Sequence, residues 1–119
     1  MNVAVVGASN KPDRYSYKAV MMLKEKGHVP FPVHPSLKAV EKFAVFPGIR
    51  AIPEPIDTIT MYLSAANQKN IEEDILQSSA RRVIFNPGAE NPGLAERLRA
   101  AGKEALDACT LVLLSTRRF

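Results

Sequence analysis

The residues best equipped for chemistry stand at the end of the first apolar run. Val3-Ala4-Val5-Val6 stops on Gly7, and Ala8, Ser9, Asn10, Lys11 and Arg14 follow before a helix-like segment opens near Ser16. A strand that ends on glycine lets backbone amides approach an anion, and the next helix N-terminus adds a positive dipole. The amides of Ala8 and Ser9, the hydroxyls of Ser9 and Ser16, and the cations Lys11 and Arg14 together suit a polyphosphate. A side chain at Gly7 would then stand in the phosphate's approach path. The loop is neither a dinucleotide fingerprint, which needs three glycines where this one has one, nor a P-loop, which ends Gly-Lys-Ser/Thr. The plainer use of such a glycine is a turn that packs a helix on a sheet.

Two further loops carry polar groups. The second strand ends Val33-His34-Pro35 without the carboxylate that nicotinamide enzymes use for the adenine ribose. His34 or Lys38 would instead welcome a ribose phosphate, although a loop histidine can equally have no ligand. Asn86-Pro87-Gly88-Ala89-Glu90-Asn91 is a turn cluster after a buried strand, and as such can be a loop and helix cap only. Gly88 can also bring backbone against a ligand, and Asn86 can donate and accept. Glu90 has no convincing partner as a general base. No Ser-His-Asp set appears, and two histidines with one cysteine argue against a transition-metal site. Cys109 precedes apolar Leu111–Leu114 and reads first as an inert buried thiol; the sharper use is a mixed disulfide near a ligand's reactive end.

The elements that must position these residues follow from periodicity. Asn2–Val6 predicts a buried strand, and Ser16 an N-cap for a helix to about Lys26, with Ala19, Val20 and Leu23 facing the sheet and Gly27 ending it. Val29–Val33 reads as a strand that tolerates Pro30 and Pro32 only near its ends or at irregular hydrogen bonding. Residues 35–52 suggest a helical turn, a short strand near Ala44–Phe46 and a turn at Pro47-Gly48. Asp57–Leu63 is a strand, and Ala66–Ser78 a helix burying Ile71, Ile75 and Leu76. Arg82–Phe85 is the next strand. Asn91-Pro92 opens a helix with Leu94, Ala95, Leu98 and Ala101 on its apolar face. Residues 104–114 read as one or two last strands; Thr110–Leu114 would suit a core or pairing across a homodimer, and the tail Arg117-Arg118-Phe119 would fray. Strand and helix alternate without repeats or linkers, which predicts one α/β domain over residues 1–119, a three-layer, doubly wound, mostly parallel sheet of five to six strands. Ligands of such sheets sit beyond the carboxyl ends of the strands.

Composition narrows the classes. The 119 residues are 46% hydrophobic and 24% charged, as in ordinary globular chains. One cysteine excludes an internal disulfide framework, and no apolar run approaches the roughly 20 residues of a membrane helix. No secretory leader is apparent, so the expectation is a soluble cytoplasmic protein without membrane partners. A net charge of +4 favours anionic partners. Nucleic acid is disfavoured, because the basic residues are scattered, the densest groups being Arg81-Arg82 and Arg117-Arg118, and aromatic residues are only 7%.

In this order and spacing, Val5-Val6-Gly7-Ala8-Ser9, Pro12 with Arg14-Tyr15-Ser16, Gly27-His28, Pro32-Val33-His34-Pro35, Ile56-Asp57 and Asn86 through Asn91 resemble a known family. The chain is similar to the small stand-alone CoA-binding proteins, whose domain resembles the N-terminal CoA-binding domain of the succinyl-CoA synthetase alpha subunit. The resemblance implies a Rossmann-like fold with CoA or an acyl-CoA across the strand ends. It implies Gly7, Ala8 and Ser9 near the pyrophosphate with Lys11, Arg14 and Ser16 beside them, Val33, His34 and Pro35 at the adenosine end, and Asn86, Pro87, Gly88 and Ala89 along the pantetheine. The synthetase's second domain, with its phosphorylated histidine, has no counterpart in these residues, so the resemblance does not extend to ligation. Binding without catalysis is therefore the expected function. The alternatives are an enzyme handling acyl-CoA or the CoA thiol through Cys109, and an NAD(P)-binding regulatory domain.

Overall fold

The computed structural model describes all of residues 1–119. In chain order the elements are β1 (Asn2–Val6), α1 (Tyr15–Glu25), β2 (Val29–Val33), β3 (Ala39–Val40), β4 (Phe43–Ala44), β5 (Thr58–Met61), α2 (Ala65–Gln68), α3 (Glu72–Gln77), β6 (Arg82–Phe85), α4 (Pro92–Ala100), β7 (Glu104–Asp107) and α5 (Thr110–Ser115), with 3₁₀ turns at Ile49–Ala51 and Lys69–Ile71. Five strands form one all-parallel sheet in the order β2-β1-β5-β6-β7, and β3 and β4 make a separate hairpin. The winding reverses between β1 and β5, so their carboxyl ends diverge into a crevice. This is the expected doubly wound α/β sheet, with five strands.

Strand alternation assigns the two faces. Val3 and Val5 of β1 pack on Val20 and Leu23 of α1 and Leu114 of α5, whereas Ala4 and Val6 join Ile59 and Met61 of β5, Ile75 of α3 and Leu94 and Leu98 of α4 in a larger core. Burying each such leucine or isoleucine is worth roughly 1.5–3 kcal/mol. No helix is long and apolar enough to cross a membrane.

Several elements differ from expectation, each for a local reason. Ser16 is not the cap of α1: Arg14 holds that position without a side-chain bond, and Ser16 lies buried in the first turn. The helix does end as expected, with Gly27 left-handed (φ +88°) and the His28 N–H donating to the Leu23 carbonyl. Pro30 and Pro32 stand inside β2 rather than at its ends. The Val29 N–H points to β1, so the alternating proline positions face the outer edge, where the Phe46 N–H donates to the Pro32 carbonyl and no proline N–H is needed. The predicted helix 66–78 is broken by the 3₁₀ turn at Lys69–Ile71. Ala101 is exposed, outside the apolar face of α4. Thr110–Leu114 forms α5 and not a strand, which removes the strand pairing imagined for a homodimer. The tail is tied down: the Arg82 guanidinium lies over the Phe119 ring, 4.5 Å from its centroid, and Nη1 donates to the Phe119 carbonyl.

A buried polar knot joins the sheet to α5. Asn86 Nδ2 donates to Thr60 Oγ1 (2.7 Å) and to the Met61 carbonyl (2.9 Å), Asn86 Oδ1 accepts from the Thr110 N–H (2.8 Å), and the Thr60 and Thr110 hydroxyls are 2.7 Å apart. All three residues are at most 2% exposed. Truncating Asn86 leaves the buried Thr110 N–H without a partner, whereas the Met61 carbonyl keeps the Asn86 backbone N–H, so Asn86→Ala should lower the unfolding free energy by about 1–3 kcal/mol. Urea unfolding measures this; a change below about 0.5 kcal/mol, the range of an uncoupled surface substitution, would mean the knot is dispensable.

Candidate functional site

The carboxyl ends of β1, β2 and β5 converge on Gly7. Its N–H and that of Ala8 both donate to the Val33 carbonyl, at 3.2 and 3.1 Å, and its φ is +89°. A Cβ built there would lie 3.2 Å from the backbone of Tyr62 and Leu63. Two corrections follow. The Ala8 amide is consumed by β2 and is not free for an anion. A side chain at Gly7 would strike the end of β5, not the approach path of a phosphate.

On one side of Gly7 opens a cleft of about 470 Å³ lined by the loop Ala8–Lys11, by Arg14, Tyr15 and Ser16 at the start of α1, and by His34, Leu37, Tyr62 and Pro87. Its character is cationic. Lys11 and Arg14 form no ion pair, and no carboxylate lines the cleft. The first turn of α1 has no side-chain cap, so its leading N–H groups face the opening with the positive end of the helix dipole. Ser9 Oγ accepts from the Lys11 N–H (3.1 Å), which curls the loop and leaves the hydroxyl hydrogen to donate elsewhere.

On the other side lies a mostly apolar slot of about 420 Å³ between the β2 end (Val33, His34, Pro35), the turn Pro47-Gly48-Ile49, Leu63, and one side of α2 and α3. Gly7 and His34 line both spaces, so the two adjoin there as parts of one crevice at the strand ends. His34 is fixed by its own loop. Nδ1 accepts from the Ser36 and Leu37 N–H groups, at 3.1 and 2.9 Å, as an asparagine oxygen would at such a turn. Nδ1 is therefore the unprotonated nitrogen, and Nε2–H is the group left to donate.

The loop after β6 is brought near but contributes unevenly. Pro87 lines the cationic cleft and Gly88 is exposed. Asn86 is 2% exposed with both amide hydrogens used, and Ala89 is 1% exposed with its carbonyl taken by Gln68 Nε2. Glu90 Oε1 accepts from the Gly88 N–H, so it closes the turn. Fully buried Gln68, which no local sequence signal marks, staples this loop by donating also to the Leu63 carbonyl and accepting from Asn91. Lys38 and half-buried Cys109 line neither space. No group of three potential metal-ligating side chains occurs. Asn67, Asn70 and Asp74, on the slot's helical wall, also escaped the sequence reading, because they sit on the polar side of an unremarkable helix.

Tyr62 is the most perturbed group at the site. Burial pushes its phenol up to about 12, against weaker opposing effects of the Thr60 and Thr110 hydroxyls, and its buried oxygen closes no hydrogen bond. The raised value means stability is complete below pH ~10, the ordinary tyrosine value, and is lost as pH rises toward 12.

The comparisons with known proteins agree with this architecture. The family model described as a CoA binding domain matches residues 1–115. A crystal structure of an uncharacterized protein superposes with a TM-score of 0.92 at 37% identity, covering 99% of this chain and 97% of that one. The uncharacterized protein YneT of Bacillus subtilis (strain 168) is 24% identical over 111 residues, 92% of this chain and 82% of its own length. The dinucleotide-forming acetyl-coenzyme A synthetase 1 of Ca. Korarchaeum cryptofilum shares the fold over 88% of this chain and 25% of its own, with a TM-score of 0.75 at 18% identity.

Gly7→Val should destabilise the fold by at least about 1–2 kcal/mol, the strain of a left-handed non-glycine residue, whether or not ligand is present. Unaltered melting of that variant would show that the β1 turn can relax. Tyr62→Phe should cost no stability at neutral pH, since it removes an unpartnered hydroxyl, and should abolish the last ultraviolet phenolate transition near pH 12. A clear loss of stability would reveal a partner for that hydroxyl.

Proposed function

The chain belongs to the CoA-binding domain family, and on that premise we propose that it holds CoA across the crevice, as a binding module and not as a catalyst. The observation that carries this reading is the division of the crevice into a cationic cleft without carboxylates and an adjoining apolar slot, joined at Gly7 and His34. CoA has the matching division. Its diphosphate suits the uncapped start of α1, with Ser9, Lys11, Arg14 and Ser16 around it. Its adenosine suits the slot beside Val33, His34 and Pro35, where His34 Nε2–H is placed to donate to a ribose phosphate. The pantetheine arm would then leave past Pro87 and Gly88. Asn86 and Ala89 support that loop from beneath.

CoA is preferred to a nicotinamide dinucleotide for one physical reason. The end of β2 offers an imidazole N–H and no carboxylate, which suits a phosphorylated ribose. An NADP-like ligand shares the phosphorylated ribose and is the competitor to test. The thiol-handling alternative loses ground because Cys109 lines neither space.

Calorimetric titration with CoA, NAD and NADP tests the reading: CoA should bind most tightly, and Lys11→Ala or Arg14→Ala should each weaken it by about 1–3 kcal/mol, as for a hydrogen bond to a charged group. Tighter binding of either nicotinamide dinucleotide, or indifference to both substitutions, would contradict it.

A further inference from the structure

We propose that Asp74 selects the base of the bound coenzyme, its carboxylate accepting a hydrogen bond from the exocyclic amine of adenine in the apolar slot. The proposal rests on the CoA reading above and adds the residue that distinguishes one base from another.

Asp74 is the single carboxylate in the lining of either part of the crevice. It is one of three acids in the first turn of α3, and the other two are engaged: Glu72 with Arg97 and Asn91, Glu73 with Arg97. Asp74 lines the slot, at its border with a second depression that holds Arg50. Its one charged neighbour, Arg50, is 3.7 Å away, and the Arg50 side chain is 81% exposed against 34% for Asp74. Such a loose surface pair is weak and leaves carboxylate lone pairs for a ligand. The walls around it include apolar Pro35, Ile49, Leu63 and Ile71, surfaces on which a base can pack. Asn67 and Asn70 stand on the same helical wall, and neither side chain has a hydrogen-bond partner within the protein.

A carboxylate only accepts. An adenine amine meets it with an N–H, whereas a base with a carbonyl in that position sets two acceptors face to face.

The test compares CoA with 1,N6-etheno-CoA, whose amine nitrogen is tied into a ring and has no N–H to donate, by calorimetry on the wild type, Asp74→Ala and Asp74→Asn. The wild type should prefer CoA by about 10-fold or more, the worth of one hydrogen bond to a charged group. Asp74→Ala should bring the two ligands to within about 2-fold, chiefly by weakening CoA, and Asp74→Asn, which keeps an acceptor oxygen of lower charge, should fall between. Thermal melting reports whether each variant folds; if Asp74→Ala does not, the same comparison stands on Asp74→Asn. Equal binding of the two ligands by the wild type, or a preference that survives loss of the carboxylate, overturns the assignment while leaving the CoA reading intact. Failure of the wild type to bind CoA at all overturns the coenzyme reading, and this proposal with it.

Discussion

One carbonyl governs the crevice. The Val33 oxygen accepts from both Gly7 and Ala8, at 3.2 and 3.1 Å, and so bends the chain off the end of β1 just where β2 also stops. The bend needs a left-handed residue, and the backbone of Tyr62–Leu63 lies too near for a side chain there. Glycine at position 7 is thus set by two independent constraints, φ and space. Because the chain turns away at that point, the following loop and the start of α1 are held off the sheet, and the cationic cleft and the apolar slot open on either side. The role of Gly7 is architectural first, and its service to a ligand is a consequence.

Electrostatics then divides the space. Five acidic side chains away from the cleft are engaged within the protein: Asp57 accepts from the Asn2 N–H, Glu41 from the Tyr17 hydroxyl, Glu90 from the Gly88 N–H, and Glu72 and Glu73 pair with Arg97. Lys11 and Arg14 have no such partner, so the cleft keeps a positive field that solvent alone screens. Two unpaired cations beside an uncapped helix N-terminus suit an anion from outside. The scaffold beneath is rigid for a matching reason. Asn86, Thr60 and Thr110 lock the ends of β5, β6 and α5 together, and Gln68 locks the loop after β6 to the end of β5, so the rim of the crevice has few soft points.

Much of this was legible in the residues, and the failures are instructive. The strands β1, β2, β5 and β6 announce themselves by continuous apolar or β-branched runs, and Asn91-Pro92 and Gly27 mark helix ends by chemistry that the structure uses as expected. Thr110–Leu114 was misread because a short apolar run has no period to separate strand from helix. Its helical state comes from tertiary contact, the Thr110 N–H meeting Asn86 and Leu114 entering the α1 face of the sheet. Ser16 was misread because a serine before an apolar segment resembles a cap, yet one turn of Lys11–Arg14 starts the helix earlier. At the site, local signals reveal loops that end strands and miss what topology brings from elsewhere. Asn67, Asn70 and Asp74 reach the crevice only because β5 lies beside β1, a fact carried by strand order and by no motif. The prominence of Asn86 in sequence came from its real importance, which turned out to lie inside the fold.

The central claim is that the diphosphate of CoA sits on the amino end of α1 with the base across Gly7. Amide chemical-shift mapping of the isotope-labelled protein during CoA titration tests it most directly. The account predicts that the largest shifts fall on Ser9, Asn10, Tyr15 and Ser16, with a second group at Pro35's neighbours His34 and Ser36 and at Asn70 and Ile71, while Arg81, Arg82 and Glu104 at the opposite end of the sheet stay unmoved. Shifts concentrated on Arg81, Arg82 and Glu104, with the α1 amides silent, would contradict it.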